Sequence, residues 1–302
     1  MILNELKLFV DLQLLRMAAT QLKVPQLFTT GTTRLMYGNA LYQRQRAGAG
    51  GFEEMSDRAG LETYWPWGPS VDDLNADGWD DVFVAAGMNF PFRYAPNNLF
   101  LNEAGKRFLP AAFTLGVEPR AGGRTDQVWF TLQCEPGGAD AGTKPCEICA
   151  KPDAEANGCR RDAAGALTMR GTLGSRSAVI LDLDGDGDLD IITNEFNTGP
   201  QVLISDLSAR GAVNALRVRL KGTAANRQGL GAQVTVVLRD GRRVLKVADG
   251  RSGYLSQSDL PLYFGLGSDD AAASVEVRWP SGRQQTVSGP LRGGQILEIV
   301  EP

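Results

Sequence analysis

The chain has 302 residues, of which 43% are hydrophobic and 22% charged, so it can bury a sizeable core and does not have the composition of a disordered protein. Its formal net charge is −4, which does not favour general binding to nucleic acid. The sequence contains no histidine, so Ser-His-Asp and Cys-His catalysis and histidine-ligated zinc are excluded. The length predicts about two domains.

The first residues predict one N-terminal helix over 2–22, because apolar residues recur at three- and four-residue steps from Leu3 to Met17. Asp11 and Arg16 interrupt the apolar run and no basic stretch precedes it, so the pattern does not predict a signal peptide. The sequence has no uninterrupted apolar segment of about 18 residues, so no membrane span is expected.

After about residue 35 the sequence changes to short apolar runs separated by Gly, Asn, Asp and Pro, as at 82–86, 178–181 and 191–193. This spacing is typical of many short strands joined by tight turns and predicts an all-β fold. A weak repeat, N-x-L at Asn39 and Asn97, together with a duplicated acidic segment, indicates stacked β-units such as the blades of a propeller.

The duplicated acidic segment has the form D-x-[DN]-x-D-G-x-x-D. Ca²⁺ takes six to eight oxygen ligands, and a tight turn at the glycine can direct the side chains of positions 1, 3, 5 and 9 and the carbonyl of position 7 towards one ion. The alternative is a pair of ordinary solvated acidic turns. The candidate Ca²⁺ ligands are Asp73, Asn75, Asp77, Trp79 (through its carbonyl) and Asp81 in the first loop, and Asp182, Asp184, Asp186, Asp188 (through its carbonyl) and Asp190 in the second.

An EF-hand shares the first half of this pattern but requires a bidentate Glu at position 12 and flanking helices. Position 12 is Val84 in the first loop and Thr193 in the second, and the flanking sequences resemble strands. The loops are therefore predicted to connect strands.

All four cysteines, Cys134, Cys146, Cys149 and Cys159, lie in one polar stretch that interrupts the strand pattern at about 130–165. The expected arrangement is two disulfides that staple an insertion, with three possible connectivities. A four-thiolate zinc site and a C-x-x-C redox pair are the alternatives, but zinc sites usually pair two short knuckles and this stretch has one.

A second change of composition falls near 207–214, after which apolar and basic residues alternate. Residues 210–302 hold 13 Lys and Arg against 8 Asp and Glu, a charge of +5 scattered over strand-like segments. We therefore expect an N-terminal lead-in over 1–34, propeller-type blades over 35–208 and a small β-domain over 209–302.

Specific motifs then indicate a family. The two acidic loops, each leading into an apolar strand, resemble the FG-GAP/VCBS repeats of integrin-α-type propellers. The C-terminal motifs resemble, in order and spacing, the ASPIC/UnbV domain that follows such repeats in the family of proteins similar to cartilage acidic protein. These motifs are N-R-x-G-x-G-A from Asn226, G-Y-L-S-Q-S from Gly253, F-G-L-G from Phe264 and W-P-S-G from Trp279.

The resemblance covers about 35–110 and 175–302, and the sequence departs from it in two respects. A propeller of this family would have about seven blades, whereas three or so fit before residue 208. The chain is therefore expected to be the C-terminal part of a longer protein or a reduced relative, which would also account for the missing signal peptide. Tyr263 stands where the family often has histidine.

The function expected from these observations is secreted or periplasmic binding or adhesion without catalysis, with Ca²⁺ as a structural ion and an unidentified protein or glycan ligand. One alternative is a Ca²⁺-dependent lyase or hydrolase acting on glycans. The other, nucleic-acid binding by the C-terminal domain, is suggested only by its charge of +5.

Overall fold

The computed structural model describes residues 2–7, 36–45, 51–63, 66–87, 94–196, 198–251, 253–257 and 261–302. These residues form six sheets joined by loops and by helices of three to six residues, which confirms the predicted all-β class. The described residues do not close into a barrel or a propeller.

The first sheet has the order β1-β2-β3 and contains strands β1 (Ile2–Lys7), β2 (Met36–Arg44) and β3 (Phe52–Glu54). The helix predicted over 2–22 is therefore wrong for residues 2–7, which pair antiparallel with β2; residues 8–22 lie outside the described part. Local periodicity cannot register a distant partner strand, and such pairing overrides helix propensity. A short helix, α1 (Ser56–Ala59), follows.

The second sheet, which we call the first meander, is built from four antiparallel strands in chain order. Every side chain of its second strand is buried, as expected for a strand covered on both faces. Its strands are β4 (Pro66–Asp72), β5 (Asp81–Ala86), β6 (Asn98–Asn102) and β7 (Phe108–Pro110).

The cysteine-rich insertion forms its own small sheet, with order β8-β10-β9, and short helices. Its strands are β8 (Asp126–Leu132), β9 (Cys159–Arg161) and β10 (Leu167–Thr172); its helix is α2 (Lys144–Cys149), with 3₁₀ turns at Ala121–Gly123 and Ala154–Asn157.

Disulfides join Cys134 to Cys146 and Cys149 to Cys159, each with a Cα–Cα distance of 5.5 Å. The structure thus has the expected two disulfides and selects one connectivity, in place of a zinc site or a Cys146–Cys149 redox pair. The insertion has a small core around Leu132 and Met169, so the crosslinks supply much of its stability.

A fourth antiparallel sheet, which we call the second meander, contains β11 (Ser175–Leu181), β12 (Asp190–Glu195) and β13 (Gln201–Leu203), followed by α3 (Leu207–Arg210). Strand β11 packs against β4 and β5 of the first meander. The hydroxyl of Ser70 donates a buried hydrogen bond to the carbonyl of Ala178 at 3.1 Å, which fixes this contact.

The C-terminal region is a sandwich of two sheets, with orders β17-β14-β20 and β16-β15-β18-β19. Its strands are β14 (Ala215–Lys221), β15 (Gln233–Val237), β16 (Arg243–Val247), β17 (Leu262–Gly265), β18 (Ala271–Arg278), β19 (Gln284–Arg292) and β20 (Ile296–Val300). Both sheets contribute to one core, in which Leu216, Phe264 and Trp279 are at most 2% exposed. Burial of each such side chain is worth about 1.5–3 kcal/mol.

A second core joins the two meanders to the C-terminal region. It contains Phe83 and Leu99 of the first meander, Ile191 of the second, and Ala215 and Tyr263 of the C-terminal sandwich. The three units therefore pack as one body. Among the described residues, no helix is long and apolar enough to cross a lipid bilayer.

Candidate functional site

The two acidic loops occupy the same place in their sheets. The loop of residues 73–81 joins β4 to β5, the first two strands of the first meander, and the loop of residues 182–190 joins β11 to β12, the first two strands of the second. The sequence prediction that both loops connect strands is confirmed. The motif is duplicated at an equivalent turn, but among the described residues the second loop alone brings three carboxylates together.

Position 9 of the motif, Asp81 or Asp190, braces its loop. Both carboxylates are buried, at 0% and 1% exposure. Each accepts two backbone N–H groups, one from inside the loop and one from the end of the third strand of its sheet or just after it. Such bonds satisfy amides that would otherwise be buried without a partner. The four bonds run from Leu74 N to Asp81 Oδ2 (2.9 Å), Asn102 N to Asp81 Oδ1 (2.8 Å), Leu183 N to Asp190 Oδ2 (2.8 Å) and Ser205 N to Asp190 Oδ1 (2.8 Å).

In the first loop, Asp73 is only 2% exposed and its carboxylate is directed into the turn. It accepts N–H groups from Asp77 at 3.0 Å and Gly78 at 2.7 Å. Burial raises the pKa values of Asp73 and Asp81 to about 7, against the backbone hydrogen bonds that favour their charged forms. The loop therefore keeps two carboxylates where a negative charge is costly without a cation.

The other predicted ligands of the first loop contact each other. Asn75 Nδ2 donates to Asp77 Oδ2 at 3.0 Å, and Asp77 Oδ1 accepts the backbone N–H of Trp79 at 2.9 Å. The guanidinium carbon of Arg242 lies 5.6 Å from the centre of the Trp79 ring, a cation–π distance. The Trp79 side chain thus faces the C-terminal sandwich.

In the second loop, Asp182, Asp184 and Asp186 bring one carboxylate oxygen each within 4.8 Å of the others. Asp184 and Asp186 are exposed, whereas the side chain of Asp182 is only 6% exposed. Asp182 also accepts the N–H of Gly185 at 2.8 Å, which tightens the turn. Three converging carboxylates on an accessible turn are a donor set suited to a hard divalent cation.

Asp188, at position 7, has a buried side chain that accepts a hydrogen bond from outside the loop. It is 0% exposed, and its Oδ2 accepts the backbone N–H of Ser208 at 2.7 Å. The hydroxyl of Ser208 donates to Asp186. The second loop is therefore held against the start of α3. Within the described part of the chain, Asp188 Oδ1 has no hydrogen-bond partner, and the motif assigns the ligand role to the backbone carbonyl of this residue.

Cationic groups of the C-terminal sandwich reach both loops, which the sequence alone did not indicate. Lys246 on β16 forms ion pairs with Asp72 and, at 2.8 Å, with Asp80, and its side chain is only 11% exposed. The N–H of Gly267 donates to the carbonyl of Ala76 at 2.9 Å. These contacts fix the first loop against the sandwich.

The second loop receives a matching pair of contacts. Arg217 on β14 forms an ion pair with Asp182, and the Tyr263 hydroxyl donates to the carbonyl of Gly187 at 3.1 Å. Tyr263, the residue at the position that is often histidine in the family, therefore contacts the acidic loop. Glycine is required at Gly265, two residues on, because a Cβ there would overlap the carboxylate of Asp73.

A buried polar network, also unpredicted, ties the segment after β7 to the second meander. Arg120 forms an ion pair with Glu195 at 2.5 Å and donates to Ser175 at 3.0 Å and to Tyr94 at 3.0 Å. The Tyr94 hydroxyl donates to Glu118 at 2.6 Å. Each charged group in this network has a partner, so the network fixes the packing of the meanders.

An apolar cleft of about 260 Å³ lies between the meanders, beside both acidic loops. It is lined mainly by apolar side chains, among them Leu74 and Leu189 of the two loops. The two charged residues of its described lining, Asp206 and Arg210, form an ion pair with each other at 2.6 Å. This lining suits an apolar group better than a proton-transfer reaction.

Comparison with known proteins agrees with the C-terminal motifs. The family described as ASPIC and UnbV matches residues 222–302. Cartilage acidic protein 1 of Homo sapiens is 35% identical over 136 residues, which cover 44% of this chain and 20% of that protein. The proteins of the same name from Mus musculus and Xenopus tropicalis are 36% and 34% identical over 44% of this chain, covering 20% and 19% of their own lengths.

The ASPIC/UnbV domain predicted at the C-terminus is thus confirmed. The match spans about a fifth of the length of these curated relatives. The FG-GAP/VCBS repeats expected over 35–208 stay a prediction. No solved structure matches the chain.

Proposed function

We propose that this chain belongs to an extracytoplasmic binding protein in which Ca²⁺ stabilises the two acidic loops. The observation that carries the proposal is the convergence of Asp182, Asp184 and Asp186 within 4.8 Å on a turn that the first meander repeats at the same place. Hard oxygen ligands on a glycine-containing turn suit Ca²⁺. When bound, the ion would neutralise the converging carboxylates.

Each part of the loops has a role in this proposal. Asp182, Asp184 and Asp186 would hold the ion of the second loop, and the carbonyl of Asp188 would complete the set. Asp73, Asn75 and Asp77, with the carbonyl of Trp79, would hold the ion of the first. Asp81 and Asp190 brace the turns through backbone amides, so they keep the ligands in place.

Two further observations support a location outside the cytoplasm and a propeller-like context. The disulfides Cys134–Cys146 and Cys149–Cys159 are typical of oxidising compartments. Each meander is an antiparallel sheet in chain order, the form of a propeller blade. In this proposal the meanders are FG-GAP-type blades, and the protein binds a ligand without turning it over.

The test is thermal unfolding in excess Ca²⁺ and in a chelator, for the wild type and for Asp184→Asn combined with Asp186→Asn. This double variant leaves the Asp182–Arg217 ion pair intact. Calcium at 100 times its Kd should stabilise the wild type by about 2.7 kcal/mol per site, and the double variant should lose the contribution of the second loop.

The matched control is Asp206→Asn, an exposed carboxylate near the second loop that pairs with Arg210. It should keep the full response to calcium. A wild type whose melting temperature is the same in calcium and in chelator would show that the loops are ordinary acidic turns, and the calcium proposal would be wrong.

A further inference from the structure

A group of aromatic side chains surrounds one arginine where four parts of the fold meet. The guanidinium carbon of Arg176, on β11, lies 4.4 Å from the centre of the Trp67 ring on β4 and 4.9 Å from that of Phe196 beyond β12. The ring of Tyr254, in the C-terminal region, is 5.5 Å from Trp67, and the ring of Trp129 on β8 is 5.4 Å from Phe196. We call these five residues the aromatic cluster.

The aromatic cluster is open to solvent at both ends. Trp129 is 42% exposed and Tyr254 is 39% exposed, while Trp67, Arg176 and Phe196 are half-buried. Aromatic residues with partly exposed ring surfaces are enriched at binding sites, because the rings offer a large rigid contact area. Contributions from both meanders, the insertion and the C-terminal sandwich make this a composite surface of the assembled fold.

Arg176 uses little of its hydrogen-bonding capacity on the residues that the structure describes. Within the described part of the chain it forms one long hydrogen bond, to the carbonyl of Ser175 at 3.5 Å, and no ion pair. The nearby carboxylate of Glu195 is already held by Arg120 at 2.5 Å and by Ser175 at 2.7 Å. Burial lowers the pKa of Arg176, which reflects the cost of holding this cation away from water.

The contacts of Arg176 and the exposure of the rings restrict the charge and shape of a ligand that could bind the aromatic cluster. A cation is disfavoured because Arg176 itself already lies over the faces of Trp67 and Phe196. An anion with carboxylate geometry could accept two parallel N–H bonds from the guanidinium. Flat apolar faces beside that anion would be covered by the rings of Trp129 and Tyr254. A uronic acid residue of a saccharide combines a carboxylate with a ring that has an apolar face.

We propose that the aromatic cluster is a binding site for an acidic saccharide, with Arg176 binding the carboxylate of a uronic acid residue and Trp129 and Tyr254 stacking on the neighbouring rings. This inference rests on the proposed binding function and specifies its ligand class. It requires no covalent step.

The probe is a hexasaccharide with glucuronate at alternate positions, compared with the same hexasaccharide after reduction of its carboxyl groups to alcohols. Calorimetric titration of the wild type should show binding of the acidic form and at least tenfold weaker binding of the reduced form. Equal binding of the two forms, or binding of neither, would overturn the proposal.

Substitutions within the aromatic cluster test whether the hexasaccharide binds there. Arg176→Gln should weaken binding of the acidic hexasaccharide at least tenfold, and Trp129→Ala, which alters a half-exposed ring, should weaken it several-fold. The controls are Arg219→Gln on the exposed face of β14 and Phe113→Ala, whose ring is 67% exposed outside the cluster. Both controls should bind as the wild type does. Unchanged binding by Trp129→Ala and Arg176→Gln would place the saccharide elsewhere and contradict the proposal.

Each titration is repeated in calcium and in chelator, so that this proposal and the calcium proposal can fail separately. Binding in chelator that Arg176→Gln abolishes supports the aromatic cluster even if the acidic loops bind no ion. A calcium-dependent rise in melting temperature without saccharide binding removes the aromatic cluster proposal alone.

Discussion

The two acidic loops share a motif, a place in the sheet and a bracing aspartate, yet their first residues lie in different environments. Asp73 is 2% exposed and bonded to backbone amides of its own turn, whereas Asp182 forms an ion pair with Arg217 and converges with two exposed carboxylates. The C-terminal sandwich accounts for much of the difference. It places Lys246 beside the flanks of the first loop and Arg217 on the first position of the second.

The comparison shows that a local motif specifies the shape of a turn, while the neighbouring domain sets its electrostatics. Position 9 depends on the turn and on the strands of its own sheet, and it has the same bonds in both loops. Position 1 depends on what packs over the turn, and there the loops diverge. The first loop has the greater burial, and the second has the more accessible oxygens.

The largest expected change in stability comes from replacing the aspartate at position 9 of the motif in either loop. Asp81→Ala and Asp190→Ala each leave two backbone N–H groups without an acceptor, so each should lower the free energy of unfolding by about 4 kcal/mol. Urea unfolding in chelator measures this without a contribution from calcium. Asp240→Ala, which removes an exposed carboxylate, is the control and should change little. If the two loop variants lose clearly different free energies of unfolding, position 9 does not have the same role in both loops.

The next effect tests the contact between the first loop and the sandwich. Lys246→Met leaves Asp72 and Asp80 without their cation in a site where Lys246 is 11% exposed, so the loss should be about 3 kcal/mol. Arg243→Met is the matched control, because its ion pair with Glu276 is 54% and 39% exposed and should be worth less than about 1 kcal/mol. If both variants lose the same free energy in urea unfolding, Lys246 has no special role.

A smaller effect tests the buried carboxylates of the first loop. The pKa values of Asp73 and Asp81 are raised from 3.8 to about 7, so the folded state binds protons more tightly than the unfolded state between these values. Their contribution to stability is therefore greatest in acid and is lost as the pH rises towards 7.

In chelator, the contribution of Asp73 alone should fall by about 2–3 kcal/mol between about pH 5 and pH 8. Calcium favours the charged carboxylates, so it should reduce or reverse the trend. The difference in urea unfolding between the wild type and Asp73→Asn, measured at both pH values, isolates the effect. A difference that does not change with pH would show that Asp73 is not protonated preferentially in the folded state.

Features encoded within a few residues could be predicted from the sequence. The D-x-[DN]-x-D-G spacing and the apolar runs after it are local signals, and they predict that the acidic loops lie between strands. The small C-terminal β-domain was predicted from motifs that the family match over 222–302 supports. The four cysteines indicated two disulfides, but their connectivity depends on how the insertion folds, so the sequence left three possibilities open.

Features that depend on distant partners could not be predicted. Residues 2–7 have a helical periodicity, and only the antiparallel pairing with Met36–Arg44 makes them a strand. Lys246 and Asp72 are 174 positions apart, and Arg217 and Asp182 are 35 apart, so neither ion pair has a sequence signature. The aromatic cluster likewise draws its side chains from four units, and each tryptophan alone resembles an ordinary strand residue.

The most direct measurement of the central claim is a calorimetric titration of the chain with Ca²⁺, beside the Asp184→Asn, Asp186→Asn double variant. We expect two bound ions per chain in the wild type and one in the variant, since the first loop is untouched. Terbium bound in place of calcium should show emission sensitised by Trp79 in both proteins, which identifies the first loop as the remaining site. Equal calcium binding by the wild type and the variant, or none by either, would contradict the account.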